Sequence, residues 1–203
     1  MARQSMVTIR RAEITEALYR CIVKSGYANT SVRDIAHEAS MRSGLIHHYF
    51  DSKDEILSAL MKDIFNKYQR SFALLLEGHR DKPSNERLRL GIEFIFLKVA
   101  GDRDLIKVFH ELWNLSQHNE TLHESLRVLY RQYRKEVGKF IAECMGKTHG
   151  QTKDAKSIAA LLVSASEGAG IQWHIDSRGI SLSDLAKMSS RFVNMTIGRH
   201  GSQ

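Results

Sequence analysis

The chain has 203 residues, 42% hydrophobic and 26% charged, enough to bury a core without disulfide or metal staples. No apolar run approaches the roughly 20 residues of a membrane-spanning helix, and the opening MARQSMVTIRR lacks the apolar stretch of a secretory leader or the pattern of a lipidation motif, so the chain is expected in the cytoplasm, away from membranes. Lys and Arg number 30 against 23 Asp and Glu, a formal charge of +7, which suits an anionic partner. The first 52 residues hold only 7 basic and 5 acidic side chains, so nucleic-acid binding has to be argued from motif geometry.

One proline, Pro83, and sparse glycines argue against an all-β plan with many turns. Ile14, Ala17, Leu18, Cys21 and Ile22 repeat at the helical period, and Gly26 supplies a stop, which predicts a first helix over about 8–25. Ser31 with Asp34 has the spacing of a reciprocal N-terminal cap, predicting a second helix over 32–39. A third short helix is expected over 43–49. Ser52 and Glu55 form a second capping pattern ahead of a long fourth helix marked by Ile56, Leu60, Ile64, Phe65, Tyr68 and Phe72 and ending near 77. GHRDKPSNE, residues 78–86, is the clearest break. Further helices are predicted at about 85–100, 103–117, 120–146, 152–175 and 182–198, with another break over 146–151. The fold class is therefore all-α, with about nine helices, an N-terminal DNA-binding domain over 1–52 and a C-terminal ligand-binding and dimerisation domain over 53–203. Cys21 and Cys144 each lie in an apolar helical pattern and read as core thiols.

Two short helices joined by a tight turn behind a hydrophobic helix make a helix-turn-helix, whose second member can enter the major groove. The stretch TSVRDIAHEASMRSGLIHHYFDSKDEIL, residues 30–57, resembles the DNA-binding motif of the TetR family of bacterial repressors. Val32 to Ala36, Ala39, Gly44, Tyr49-Phe50 and Lys53 carry that resemblance. His48-Tyr49-Phe50 after Gly44-Leu45-Ile46 is most similar to the choline-responsive BetI branch. FHELWNLSQHNETLHESLRVLYRQYRK and ASEGAGIQWHID resemble that branch's ligand-binding domain.

The resemblance implies DNA contacts from Ser31, Arg33, Arg42, Ser43, Gly44, Leu45, His47, His48 and Lys53. Arg33 points away from the apolar face of its helix, where it reaches phosphate or guanine or else stays a solvated arginine. Ser31 caps its helix and can also lean on a phosphate. Gly44 leaves the backbone bare towards a base edge, and Leu45 suits a thymine methyl. Lys53 matches the family's phosphate-contacting lysine. Two departures stand out: Ser40 replaces the turn glycine, where a left-handed conformation costs serine more, and Arg42 replaces the capping serine, which leaves Ser43 as an alternative cap.

The resemblance also implies a homodimer through the last two helices on a palindromic double-stranded operator, and a small-molecule inducer held among helices four to eight. Small residues from Ala159 to Ala169 and the series Leu185, Met188, Phe192, Met195 suit close helix pairing. His110, Trp113 and Gln117 share one helical face, and with Tyr130, Glu167 and Trp173 they are the candidate ligand residues. Trp113, Tyr130 and Trp173 with Glu111 or Glu167 would cage a quaternary ammonium such as choline by cation–π attraction; the alternative is that the aromatics are ordinary core and the acids solvated. Catalytic motifs and metal-ligand spacings are missing, so neither enzyme activity nor a cofactor is expected. The competing readings are a ligand-independent regulator and a DNA-binding protein without sequence preference, whose affinity would show a steep salt slope.

Overall fold

The computed structural model describes residues 2–146 and 152–200. Among these there are nine α-helices and no strand: α1 (Ala2–Ser25), α2 (Val32–Glu38), α3 (Ser43–Ile46), α4 (Lys53–Glu77), α5 (Ser84–Glu93), α6 (Arg103–Ser116), α7 (Glu120–Cys144), α8 (Lys153–Ile175) and α9 (Leu182–His200). The expected break at 146–151 lies, apart from Gly146, outside the described residues.

The helix ends follow from local chemistry. Gly26 closes α1 with φ of +80° and its amide on the Ile22 carbonyl at 2.9 Å, a conformation that costs glycine little. Ser31 and Asp34 form the reciprocal cap of α2, with Asp34 N–H donating to Ser31 Oγ (3.2 Å) and Ser31 N–H to Asp34 Oδ2 (2.7 Å). At the other end of α2, Met41 N–H bonds the Ala36 carbonyl (2.8 Å) and Ser40 N–H the His37 carbonyl (3.0 Å). This is the crossed pair of a Schellman motif, which needs a left-handed residue at Ser40. Ser40 supplies it, with φ of 54°, despite lacking glycine's freedom.

Several expectations shift. The third helix is a single turn, Ser43–Ile46, followed by tight turns through Tyr49 and Phe50. Its N-cap is Arg42, whose side chain makes no capping bond, so Ser43 opens the helix and does not cap it. At α4, Ser52 Oγ accepts from Glu55 N–H (3.1 Å), yet the Glu55 carboxylate bonds Asp51 N–H (2.7 Å) and Arg11 (3.0 Å). That second cap is therefore half made. The helix expected over 85–100 is α-helical only to Glu93 and then widens into a π-helical stretch, Phe94–Val99, with Ala100 N–H on the Ile95 carbonyl (3.1 Å).

Two compact units result: Met1–Lys67 with Lys107–Leu129, and Tyr68–Ile106 with Tyr130–Gln203. They do not follow a division at residue 52, because α4, α6 and α7 each contribute segments to both. In the first unit, Ile14, Ala17, Leu18, Ile35, Ala36, Ile46, Phe50, Ile56, Leu57 and Leu60 are buried. In the second, the core runs from Leu88, Ile92, Ile95 and Phe96 through Phe140 and Ile141 to Leu162, Val163 and Val193. Gly91 allows the Phe140 ring to lie directly on α5, where a Cβ would overlap it; Phe140 meets Phe72 edge-on at 5.2 Å between centroids. Cys21 and Cys144 are buried free thiols, and burial pushes the Cys144 thiol up to about 11.

Candidate nucleic-acid interface and ligand site

The first unit holds the helix-turn-helix against α1 and α4 by specific polar ties as well as by its apolar core. Arg20 of α1 pairs with Glu38 of α2 at 2.6 Å. Arg11 of α1 donates to the Tyr49 carbonyl and to Glu55 (3.0 Å), and its guanidinium lies 3.8 Å from the centroid of the Phe50 ring. Thr15 Oγ1 donates to Asp63 of α4 at 2.7 Å. Exposed ion pairs are individually worth about 0–1 kcal/mol, so the value of these ties lies in orientation. The guanidinium of Arg11 and the backbone N–H of Asp51 hold the Glu55 carboxyl below the usual carboxylate range.

With Ile35, Ala36 and Ile46 turned inward, the other side of the motif is left bare. Ser31, Arg33, Arg42, Ser43, Gly44, Leu45, His47 and His48 are all exposed. A Cβ on Gly44 would meet nothing within 4 Å, so packing inside the chain does not require glycine there.

Lys53 is placed differently from the other candidates. Its ammonium is half-buried and donates to the carbonyls of Tyr27 (3.0 Å) and Thr30 (2.8 Å), 3.8 Å from the centroid of the Tyr27 ring. Burial pulls its pKa down. The side chain clamps the α1–α2 turn onto the start of α4. The same turn is gripped from two further sides: Tyr27 N–H donates to Glu111 of α6 (3.3 Å), and the Tyr27 hydroxyl donates to Asp54, whose other oxygen accepts from Asn119 at the start of α7 (3.0 Å). Burial and the Asp54 carboxylate push the Tyr27 phenol up. Nothing in the sequence reading pointed to Arg11, Arg20, Tyr27 or Asn119, and Glu111 was expected there only as an alternative cage carboxylate. The motif's spacing concerns one helix at a time, and these partners come from segments up to 84 positions apart.

The six candidate ligand residues are divided between the two units. His110, Trp113 and Gln117 belong to the first unit and Tyr130, Glu167 and Trp173 to the second. Leu105, Val108, Leu112 and Ser116 take the buried face of α6, which leaves His110, Trp113 and Gln117 on the solvent side, Trp113 at 61% exposed. They share a face, as the spacing predicts, but it is the outer one. Trp173 lies under the Arg103 guanidinium, 4.6 Å from the ring centroid, and lines an open pocket of about 550 Å³ with Leu97, Ile180 and Leu182.

Tyr130 and Glu167 do meet. Tyr130 of α7 and Glu167 of α8 are near enough in the second unit for the Glu167 charge to act on the phenol. Burial raises the Glu167 pKa, an effect that Tyr130 and Arg134 partly offset. Burial and the Glu167 charge also push the phenols of Tyr130 and Tyr133 up. The Tyr133 hydroxyl is buried without a hydrogen-bond partner.

The second unit also carries an apolar series open to solvent on α9: Met188, Phe192 and Met195 are 62%, 50% and 64% exposed, and Leu161 of α8 is exposed as well. Leu185, the fourth of the expected series, packs against the core instead.

The family of bacterial regulatory proteins called tetR matches residues 14–60, and the C-terminal family of BetI-type transcriptional repressors matches residues 84–198. The chain belongs to the TetR family, in its BetI-type branch, and is a regulator of transcription, not an enzyme. The HTH-type transcriptional regulator BetI of Vibrio vulnificus is 25% identical over 181 residues, covering 89% of each chain. The nicotine-responsive transcriptional repressor HdnoR of Paenarthrobacter nicotinovorans is 25% identical over 168 residues, covering 82% of this chain and 84% of that one. A transcriptional regulator of Saccharomonospora viridis solved in complex with choline shares the fold at a TM-score of 0.73 and 24% identity, over 92% of this chain and 96% of that one. No helix among the described residues is long and apolar enough to cross a membrane.

Proposed function

We propose that the protein is a cytoplasmic repressor that binds a palindromic operator as a homodimer and leaves it when a small organic cation binds. The observation that carries the DNA half is the bare side of the helix-turn-helix, where Arg33, Arg42, Ser43, Gly44, Leu45, His47 and His48 are all exposed while Ile35, Ala36 and Ile46 are buried. In this reading Arg33, Arg42 and the histidines meet phosphates, and Ser43, Gly44 and Leu45 lie at base edges. Ser31 caps α2, its Oγ accepting from Asp34 N–H (3.2 Å) and its hydroxyl donating to Asp34 Oδ2 (2.6 Å), so it reaches a phosphate only by turning that proton away from Asp34. Lys53 positions the α1–α2 turn, with its remaining N–H available to a phosphate.

The exposed Met188, Phe192 and Met195 series supports pairing through α8 and α9, since a solvated apolar series of that kind is covered when two copies pack their last helices together. A twofold dimer sets two reading helices one DNA turn apart, about 34–36 Å. The Tyr130–Glu167 pair supports a cationic inducer, because a partly buried carboxylate is stabilised by a positive ligand. Choline, bound to the Saccharomonospora protein, and nicotine, to which the HdnoR protein responds, are both organic cations.

Footprinting on DNA from upstream of the gene tests this reading. Two protected half-sites related by a dyad, lost on adding an organic cation, are expected. A single protected site without a dyad overturns the dimer. Uniform protection favours a protein that binds DNA without sequence preference.

A further inference from the structure

On α7 and α8 the second unit holds a carboxylate with acceptor capacity to spare and a buried hydroxyl without a hydrogen-bond partner. Glu167 of α8 interacts with Tyr130 and Tyr133 of α7, and an ionised carboxylate offers about four acceptor positions. Tyr133 lies one turn beyond Tyr130 on the same side of α7, and its hydroxyl oxygen is fully buried and unpartnered. Ser166 of α8 is its polar neighbour; the Ser166 hydroxyl donates to the Val163 carbonyl at 2.9 Å and makes no hydrogen bond with Tyr133. Buried polar groups without partners are rare enough in folded proteins to call for an explanation. Here a ligand that accepts from Tyr133 and donates to Glu167 explains both. Arg134, the other charged group near Glu167, is exposed and does not fill that role.

We propose that the inducer is a protonated amine carrying a hydroxyl or ether oxygen, its N–H on the Glu167 carboxylate and its oxygen on the Tyr133 hydroxyl. This rests on the reading of the protein as a repressor released by an organic cation and narrows its ligand class. A quaternary ammonium has no N–H, puts methyl groups between its nitrogen and the carboxylate, and relies on aromatic faces for its attraction. In the second unit, one face of the Trp173 indole is covered by the Arg103 guanidinium. An N–H donor makes a charge-assisted bond to Glu167 without needing an indole face.

Calorimetric titration of the full-length protein at neutral pH, where tertiary alkylamines are protonated, tests this with four probes: dimethylaminoethanol, choline, dimethylpropylamine and the uncharged dimethylbutanol. Dimethylaminoethanol is expected to bind about tenfold more tightly than either choline or dimethylpropylamine, as one hydrogen bond to a charged or buried group implies, and dimethylbutanol is expected not to bind. Tyr133→Phe should erase the preference over dimethylpropylamine while leaving the melting temperature unchanged or higher, because it deletes an unpartnered buried hydroxyl. Glu167→Gln should remove the preference for charged probes. Choline binding as tightly as dimethylaminoethanol, or Tyr133→Phe keeping the oxygen preference, overturns the proposal and leaves the cationic-inducer reading standing. If none of the cations binds, that reading falls together with it.

Discussion

Replacing Lys53 with methionine keeps the length of the aliphatic stem and removes only the ammonium. That ammonium donates to two main-chain carbonyls, at 3.0 and 2.8 Å, and lies 3.8 Å from the Tyr27 ring centroid. A hydrogen bond to a charged group contributes about 1.5–3 kcal/mol, and an ammonium on an aromatic face about 0.5–2 kcal/mol. The site is only half-buried, so water recovers part of each loss, and a net cost of about 2–4 kcal/mol remains after that discount. For a chain of this size each kcal/mol moves the melting temperature by roughly 2–4 °C. Lys53→Met should therefore melt about 5–15 °C lower, as followed by helical circular dichroism. The salt dependence of DNA binding, measured well below the melting range, reads the remaining N–H: a slope shallower by about 0.9 assigns it to one phosphate. A variant melting within a degree or so of the wild type would refute the reasoning, because the two carbonyl bonds would then contribute nothing.

The remaining expectations concern the second unit. Gly91→Ala puts a Cβ into the Phe140 ring, which Phe72 supports from behind; overpacking of this kind costs about 1–3 kcal/mol, and a thermal melt unchanged from the wild type would contradict the packing described for α5. Glu167 has its pKa raised in the folded state by burial, so its ionised form disfavours folding and stability falls as pH rises through that raised value. Glu167→Gln should consequently raise the melting temperature near pH 8, with the gain shrinking towards about pH 4, where the wild-type carboxyl is protonated whether the chain is folded or not; a gain equal at both ends contradicts the assignment. Phe192→Asp places a charge in the middle of the exposed α9 series and should convert a dimer to monomer by light scattering at micromolar concentration, while the circular dichroism stays helical. A dimer that persists moves the pairing surface elsewhere.

The helices were legible because their ends carry local chemistry. The Ser31–Asp34 cap, the Gly26 stop and the apolar periodicity of α1 depend on neighbours within a turn or two, and the structure forms all three. Ser40 shows the same logic with an imperfect residue: the crossed bonds of Ala36 with Met41 and of His37 with Ser40 hold the left-handed turn. Tertiary competition was not legible. Glu55 has the spacing of a capping partner for Ser52, but Arg11 and the Asp51 amide draw its carboxylate away. FIFLKV has a helical composition, and nothing in it announces the π-helical widening at Phe94–Val99.

The exposed side of the helix-turn-helix could be inferred from spacing because a short amphipathic helix has one buried side and one bare side. Which face of α6 is buried could not. Its alternation defines two faces, and Leu105, Val108 and Leu112 take the interior while Trp113, though the larger apolar group, stays outside. Tyr133 was passed over because an unpartnered hydroxyl is a property of its surroundings and leaves no trace in the sequence.

Sequence-specific recognition of DNA is the central claim, and the anisotropy of labelled DNA from upstream of the gene, titrated with the protein against scrambled DNA of equal length at physiological salt, measures it directly. A preference of about 10³ or more is the predicted result. Equal affinity for the two DNAs would contradict it.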